Sequence, residues 1–257
     1  MLLEKALESV IKQKFGGFEI IVIDDCSTDD TFDFLTQYKA NYRITLLRND
    51  QNLGLQKSLN IALESATGEF VARIDDDDYW LDEKKLEKQY NILEKHSEIV
   101  LIGTGYITNN EQISNPSTDL DIRNQILFRC PFQHSTVMFK RVINGQEVRY
   151  KEELKYAEDW ELWLRIGQFG EFYNIVDKTT FIRTGDNLSE RFFLKQHIQN
   201  LEIIKQYQYN YPRPFLANVY HRIVIMFFKL FNINGIVHRV SKVLFNFIFK
   251  AKKNHRS

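Results

Sequence analysis

Residues 68–78 read GEFVARIDDDD. Phe70, Val71, Ala72 and Ile74 form a short apolar run that leads straight into four carboxylates, Asp75 to Asp78. Such a run after a glycine reads as a buried strand, here over residues 70–74. Four adjacent carboxylates repel one another unless a positive group neutralises them. A divalent cation, Mg²⁺ or Mn²⁺, does so with oxygen ligands, and Mg²⁺ typically takes one or two carboxylates plus substrate phosphate oxygens. The simpler alternative is a solvated acidic turn before a helix starting near Leu81, where the helix dipole favours negative charge. The strand just before the carboxylates favours the metal, because it sets them at a sheet edge.

The flanking sequence repeats this layout. Residues 18–23 (FEIIVI) are nearly continuous apolar sequence, the mark of a strand buried on both faces, and they end in Asp24-Asp25. Residues 1–14 carry Leu3, Ala6, Leu7, Val10 and Ile11 at helical spacing, closed by Gly16-Gly17. Ser27 or Thr28 is placed to cap a helix over 29–40. A strand at 44–47 and a turn at Asn52-Leu53-Gly54 lead into a helix at 55–65. Beyond the carboxylates, the pattern predicts a helix at 82–95, a strand at 99–107, a polar loop at 109–118, and a helix at 119–128 capped by Thr118. It continues with a strand at 135–139, a helix at 158–168, short strands at 171–176 and 179–183, and helices from about 190. Strands alternating with helices imply an α/β domain with a mixed, mostly parallel sheet. Ligands in such sheets bind beyond the carboxyl ends of the strands, which puts Asp25, the Asn52 turn and Asp75–Asp78 on one edge.

Bulk composition narrows the class. The chain has 257 residues, 44% hydrophobic and 26% charged, which suits one folded domain with an extension. Two cysteines, Cys26 and Cys130, make neither a disulfide framework nor a zinc site and point to a reducing cytoplasm. No signal peptide is expected, since Glu4 and Lys5 follow Met1-Leu2-Leu3 at once; nor is a membrane span, since the apolar run at 223–228 stops at Lys229. The net charge of zero is unevenly spread. Residues 213–257 hold nine Lys/Arg and no Asp/Glu, so the preceding body is acidic. An acidic body argues against nucleic acid as a partner.

Three further groups could carry chemistry. Glu158-Asp159 opens a helix, where a carboxylate is held rigid and can serve as a general base, or simply complements the dipole. Trp160 and Trp163 follow; such rings can stack on a sugar, but more often they are core. His134 precedes a strand, and Arg183 is a possible bidentate phosphate donor.

Taken together, four segments resemble the family 2 inverting glycosyltransferases of GT-A fold: ALESVIKQKFGGFEIIVIDDCSTDDT (6–31), NLGLQKSLNIALESATGEFVARIDDDD (52–78), HSTVMFKR (134–141) and AEDWELWLRI (157–166). They occur in family order across residues 4–189, and the ordered set is far more specific than any one motif. The resemblance implies a domain over 1–190 and a helical, basic extension over 191–257. It implies that Asp25 and Asn52 serve the nucleotide, that Asp77 is the main metal ligand, and that Asp75 contacts ribose or metal. It further implies that Asp159 is the catalytic base and that His134 lines the acceptor side. The implied reaction moves a sugar from a nucleotide-diphosphate donor, most commonly a UDP-sugar, to a saccharide or lipid-linked hydroxyl with inversion, as in surface polysaccharide synthesis. Two departures stand out. The family's first buried strand, central in its sheet, has no counterpart before residues 1–14, so the expectation is a domain lacking that strand. The family's Arg-x-His element reads here Arg183-Thr184-Gly185-Asp186, without the histidine.

The basic tail alternates apolar and cationic residues (Lys229, Arg239, Lys242, Lys250, Lys252, Lys253), which predicts peripheral contact with an anionic membrane on the cytoplasmic face; a helical lid or dimer contact is the other reading. Two alternative functions remain. One is a non-catalytic, glycosyltransferase-like binding subunit, favoured by the absent strand and opposed by intact Asp75, Asp77 and Asp159. The other is a metal-dependent nucleotidyltransferase, which should show a Gly-rich, basic activating loop near the amino terminus; none is seen.

Overall fold

The computed structural model describes residues 2–184, 192–231, 241–246 and 248–249. In chain order the elements begin with α1 (Leu2–Ile11), β1 (Ile20–Asp24), α2 (Thr31–Asn41), β2 (Ile44–Arg48), α3 (Leu55–Ser65), β3 (Phe70–Ala72) and β4 (Tyr79–Trp80). There follow α4 (Lys85–Lys95), β5 (Ile99–Ile107), β6 (Gln112–Ile113), α5 (Asp119–Ile126), a 3-10 turn (His134–Thr136), β7 (Met138–Lys140), β8 (Val142–Ile143) and β9 (Gln146–Glu147). The last elements are α6 (Glu158–Ile166), β10 (Glu171–Phe181), α7 (Phe193–Tyr207) and α8 (Pro214–Phe231). They fall into two compact units, one of residues 1–115 with 132–182, the other of 116–131 with 183–257.

In the first unit the main sheet runs β3-β7-β5-β10-β4, with β6 added to β5. It is mixed: β5 and β10 pair in parallel, while β3–β7, β5–β7 and β10–β4 are antiparallel. Antiparallel contacts are thus more frequent than the strand–helix alternation implies. The centre of the sheet is dry. Leu101, Ile102 and Phe139 are fully buried, and Trp80, Leu86, Leu93 and Met138 pack in the same core. Gly103 is required at that centre, because a Cβ there would lie 2.2 Å from Asn174 Oδ1 and 2.7 Å from the Phe132 ring.

Several local expectations are corrected. The first helix ends at Ile11, not at Gly16-Gly17. The chain leaves it to bond elsewhere: Gln13 Nε2 donates to Asp82 O (2.8 Å) and Lys14 N to Glu83 O (2.6 Å). Ser27 and Thr28 do not cap α2. Asp30 holds that position without a side-chain bond, while the Ser27 N–H turns back to Asp24. The loop at 109–118 contains β6, and the two strands expected at 171–183 are one strand, β10, with register shifts around residues 175–180. Thr118 does cap α5, its side chain accepting from Asp121 N.

The correction with the widest reach concerns β1. Its run was expected to be buried on both faces, yet Ile20, Ile21, Val22 and Ile23 are only half-buried. β1 pairs in parallel with β2 alone, as a separate two-stranded sheet. β3 likewise has β7 as its only strand partner among the described residues. The two strands start side by side, because Glu19 accepts from the N–H groups of Thr67 (2.7 Å) and Gly68 (3.1 Å). Ile20, Phe70, Ala72 and Ile74 are partly buried against one apolar cluster. The sheet is therefore interrupted between β1 and β3.

The second unit is helical. Ile122, Ile126, Leu127, Ile203, Ile204, Ala217, Tyr220 and Val224 are buried in it. His197 and His221 meet through Nδ1 atoms 2.7 Å apart, and His221 Nε2 lies 3.1 Å from Leu127 O. The carbonyl can only accept, so His221 donates from Nε2 and receives a proton bond from His197 Nδ1–H. Burial pushes the His221 imidazole down to about 4, against the pull of the Leu127 carbonyl.

Candidate functional site

The carboxyl end of β1 builds the first part of the site. Asp25 accepts from Asn49 Nδ2 (2.8 Å), Leu53 N (2.8 Å) and Gly54 N (2.8 Å). Burial raises its carboxyl, but these bonds outweigh it and hold Asp25 below the usual carboxylate value. Its first task is therefore internal: it folds the 49–54 loop onto the strand end. Ser58 bonds the same carboxylate, so its about four acceptor sites are matched by four internal donors. Asn52 joins the same loop, its Nδ2 donating to Asp25 O at 3.4 Å. Cys26, at φ 61, turns the chain sharply after the strand. A hollow of about 320 Å³ opens here, lined by Arg48, Asn49, Asp50, Gln51 and Leu53, at the small end of the about 300–1,000 Å³ range of ligand sites.

The turn after β3 separates its four carboxylates. Asp76 is exposed, Asp75 and Asp77 are half-buried, and Asp78 is buried. Ser135 sorts two of them: its hydroxyl donates to Asp78 Oδ2 at 2.6 Å and accepts from Asp75 N at 2.9 Å. Asp78 is thus a structural carboxylate. Asp75 instead meets Arg73, with Nη2 to Oδ1 at 2.5 Å. Burial pushes the Asp75 carboxyl up, and the Arg73 guanidinium with the Ser135 hydroxyl brings it below its ordinary value. Arg73 Nε is shut off from solvent with no hydrogen-bond partner among the described residues. Among those residues no three His, Cys, Asp or Glu side chains form a metal cage. The donor set still suits a hard cation that completes its shell with phosphate oxygens: two half-buried carboxylates, Asp75 and Asp77, on one turn.

The N-terminus of α6 supplies the third part. Ala157, at φ 56, turns the chain so that Glu158 and Asp159 open the helix. Asp159 Oδ1 accepts from Trp160 N at 2.7 Å. Burial first, then the neighbouring Glu158 and more weakly Asp75, push the Asp159 carboxyl up to about 7. Glu158 is also raised, by burial and by Asp75, with Arg73 and a bond from Gln56 opposing. Beside them, His134 Nε2 lies 2.7 Å from Tyr150 OH. Burial, then Arg73, hold His134 down at about 3, so it is neutral at physiological pH. Burial raises the Tyr150 phenol.

Asp75, Arg73, His134, Tyr150, Glu158 and Asp159 are thus close enough to shift one another's protonation. Trp160 is 3% exposed and Trp163 fully buried, which places both rings in the core rather than at a sugar-facing surface. Arg183 is exposed, in the second unit, and the loop Gly185–Ser189 lies outside the described residues. Sequence reading missed Arg73, Tyr150 and Asn60. Asn60 pins the Tyr150 backbone through Oδ1 (2.8 Å, from Tyr150 N) and Nδ2 (3.0 Å, to Tyr150 O), ninety residues apart in sequence. Arg73 carried a visible signal, a charge inside an otherwise apolar strand run. Tyr150 carried none.

The fold is GT-A, and the protein is a glycosyltransferase. The chain belongs to glycosyl transferase family 2, whose model matches residues 2–183. The amylovoran biosynthesis glycosyltransferase AmsE of Erwinia amylovora is 33% identical over 193 residues, covering 72% of this chain and 72% of its own. WfaP of Escherichia coli, a UDP-Glc:alpha-D-GlcNAc-diphosphoundecaprenol beta-1,3-glucosyltransferase, is 27% identical over 254 residues, covering 96% and 92%. Among solved structures, TarS 1–349 of Staphylococcus aureus in complex with UDP-GlcNAc matches with a TM-score of 0.64 at 20% identity, over 87% of this chain and 67% of that one. The mannosyltransferase PcManGT from Pyrobaculum calidifontis, in complex with GDP-Man and Mn²⁺, matches with a TM-score of 0.63 at 17% identity, over 100% and 72%.

Proposed function

We propose that this glycosyltransferase moves a hexose from a UDP-sugar to a hydroxyl of a lipid-diphosphate-linked saccharide, with inversion, during assembly of a surface polysaccharide. The observation that carries this reading is the electrostatic contact between the two halves of the site. The Asp75 carboxylate lies close enough to the α6 N-terminus to help push the Asp159 and Glu158 carboxyls up, so a donor's phosphates and an acceptor hydroxyl held there would be neighbours. Relatives support the substrate classes: WfaP is named for UDP-glucose and a diphosphoundecaprenol-linked acceptor.

The 49–54 loop held by Asp25 takes the base and ribose, with Asp75 at the ribose side. Asp77 and Asp75 are the residues that would hold a divalent cation, which would supply positive charge against the leaving diphosphate. Asp159 takes the proton of the acceptor hydroxyl, and that oxygen attacks C1 opposite the leaving group. A single base on the acceptor side, with no second carboxylate serving as nucleophile, gives inversion. Neutral His134 and Tyr150 line the acceptor side as a hydrogen-bonding pair.

Calorimetric titration of UDP with Mn²⁺ tests the donor half. Metal-dependent binding is expected in the parent, with at least a tenfold loss in Asp77→Ala. Binding that ignores both the metal and Asp77 overturns the assignment. Folded protein that does not bind UDP at all favours the non-catalytic subunit instead.

A further inference from the structure

α8 is apolar around nearly its whole circumference, and its own unit covers only one side. Ala217, Tyr220, His221 and Val224 are buried. On the opposite side Phe215 (76% exposed), Leu216 (47%), Val219 (37%), Met226 (50%) and Leu230 (68%) face solvent. At 3.6 residues per turn these five fall within an arc of about 100° and run about 22 Å along the axis. Arg222 and Lys229 are exposed along one margin of that arc. A helix apolar on every side is normally covered on every side, and a contiguous exposed stripe of this kind marks an interaction surface.

Charge selects the occupant. α8 contains no acidic residue, and none occurs anywhere from Arg213 to Ser257, where nine Lys/Arg lie. A surface complementary to this face must be apolar where the stripe enters and negative at its margin. The acyl boundary beneath anionic headgroups has that profile. No helix among the described residues is long and apolar enough to cross a membrane, and Arg222 sits midway along α8, so the helix fits a position flat in the interface.

We propose that the outward face of α8 docks on an anionic lipid bilayer, with Phe215, Leu216, Val219, Met226 and Leu230 entering the acyl boundary and Arg222 and Lys229 against the headgroup phosphates. This narrows the membrane contact expected of the basic tail to one helix face. It is independent of which donor or acceptor the enzyme uses.

The test is co-sedimentation of the full chain with vesicles, either phosphatidylglycerol mixed with phosphatidylcholine or phosphatidylcholine alone, at low salt. The parent should bind the anionic vesicles and not the neutral ones. Met226→Glu with Leu230→Glu should weaken binding at least tenfold, and Arg222→Gln with Lys229→Gln should weaken it and flatten its salt dependence. Phe215→Gln, a neutral change at the most exposed position, should weaken binding without adding a charge. Circular dichroism and UDP titration establish that each variant is folded and keeps its donor site. Anionic binding unchanged in the Met226/Leu230 and Phe215 variants overturns the proposal, as does equal binding to neutral vesicles. So does a parent that ignores vesicles and dimerises through this face, with the glutamate variant monomeric.

Discussion

At the scale of single residues the site depends on a carboxylic acid held where it resists ionising. Burial first, and then Glu158, push the Asp159 carboxyl from the ordinary carboxylate range up to about 7. The base must be ionised to accept a proton, so kcat/KM should rise with pH and level off above about 7. Asp159→Asn should lower turnover by about 10²–10⁴-fold while leaving UDP binding intact; a variant that retains most of its turnover would remove Asp159 from the role. The stability consequence has the opposite sense. Between the unfolded value near 4 and the folded value near 7, the native state binds more protons than the unfolded one, so stability falls as pH rises through that window. Asp159→Asn should therefore melt higher than the parent at pH 8, by about 3 °C for ~1 kcal/mol in a chain of this size. The difference should vanish near pH 4. Activity and stability pull against each other at this one position.

At the scale of elements, α3 organises the site although it supplies no candidate catalytic group. The residue that caps its N-terminus, Gly54, sits at φ 87 and donates its N–H to Asp25, while Asn60, within the helix, pins Tyr150. At φ 87 and ψ 163 the backbone lies in a region essentially reserved for glycine, where a Cβ costs about 1–3 kcal/mol, although the space around Gly54 is open. Gly54→Ala should thus lower unfolding free energy in urea by about that amount and weaken UDP several-fold. An unchanged affinity would show that the 49–54 loop is not a nucleotide element. The helix at 55–65 and the strand at 99–107 were legible to the residue, because strong periodicity and long apolar runs are local signals. β10 was read as two strands because Asp177-Lys178 interrupts its apolar sequence. The structure absorbs those two residues in a register shift beside Gly105, whose missing Cβ lets the Val176 and Asp177 carbonyls approach.

At the scale of the whole molecule, the ordered aspartate segments pointed to family and fold, since Asp25 and Asp75 follow strand ends while Asp159 opens a helix, and such element ends are set by short-range pattern. What stayed hidden was everything fixed by long-range pairing: the sharing of Ser135 between Asp75 and Asp78, the Arg73–Asp75 bridge, and the Tyr150 contact with His134. The half-burial of β1 was hidden for the same reason, since the apolar content of a strand states what it can bury, not which neighbour buries it. The interruption between β1 and β3 also has a colloidal consequence. Two rows of backbone amides and carbonyls there have no strand partner among the described residues, and such edges act as templates for other extended chains. The purified chain should form thioflavin-positive, light-scattering oligomers at rising concentration, and an apolar strand-forming peptide supplied in trans should suppress them. Clear, monomeric solutions at several hundred micromolar would show that these edges are closed to other chains. A chaperone that captures extended peptides should likewise bind the purified chain at this opening, and the strand-forming peptide should compete with it.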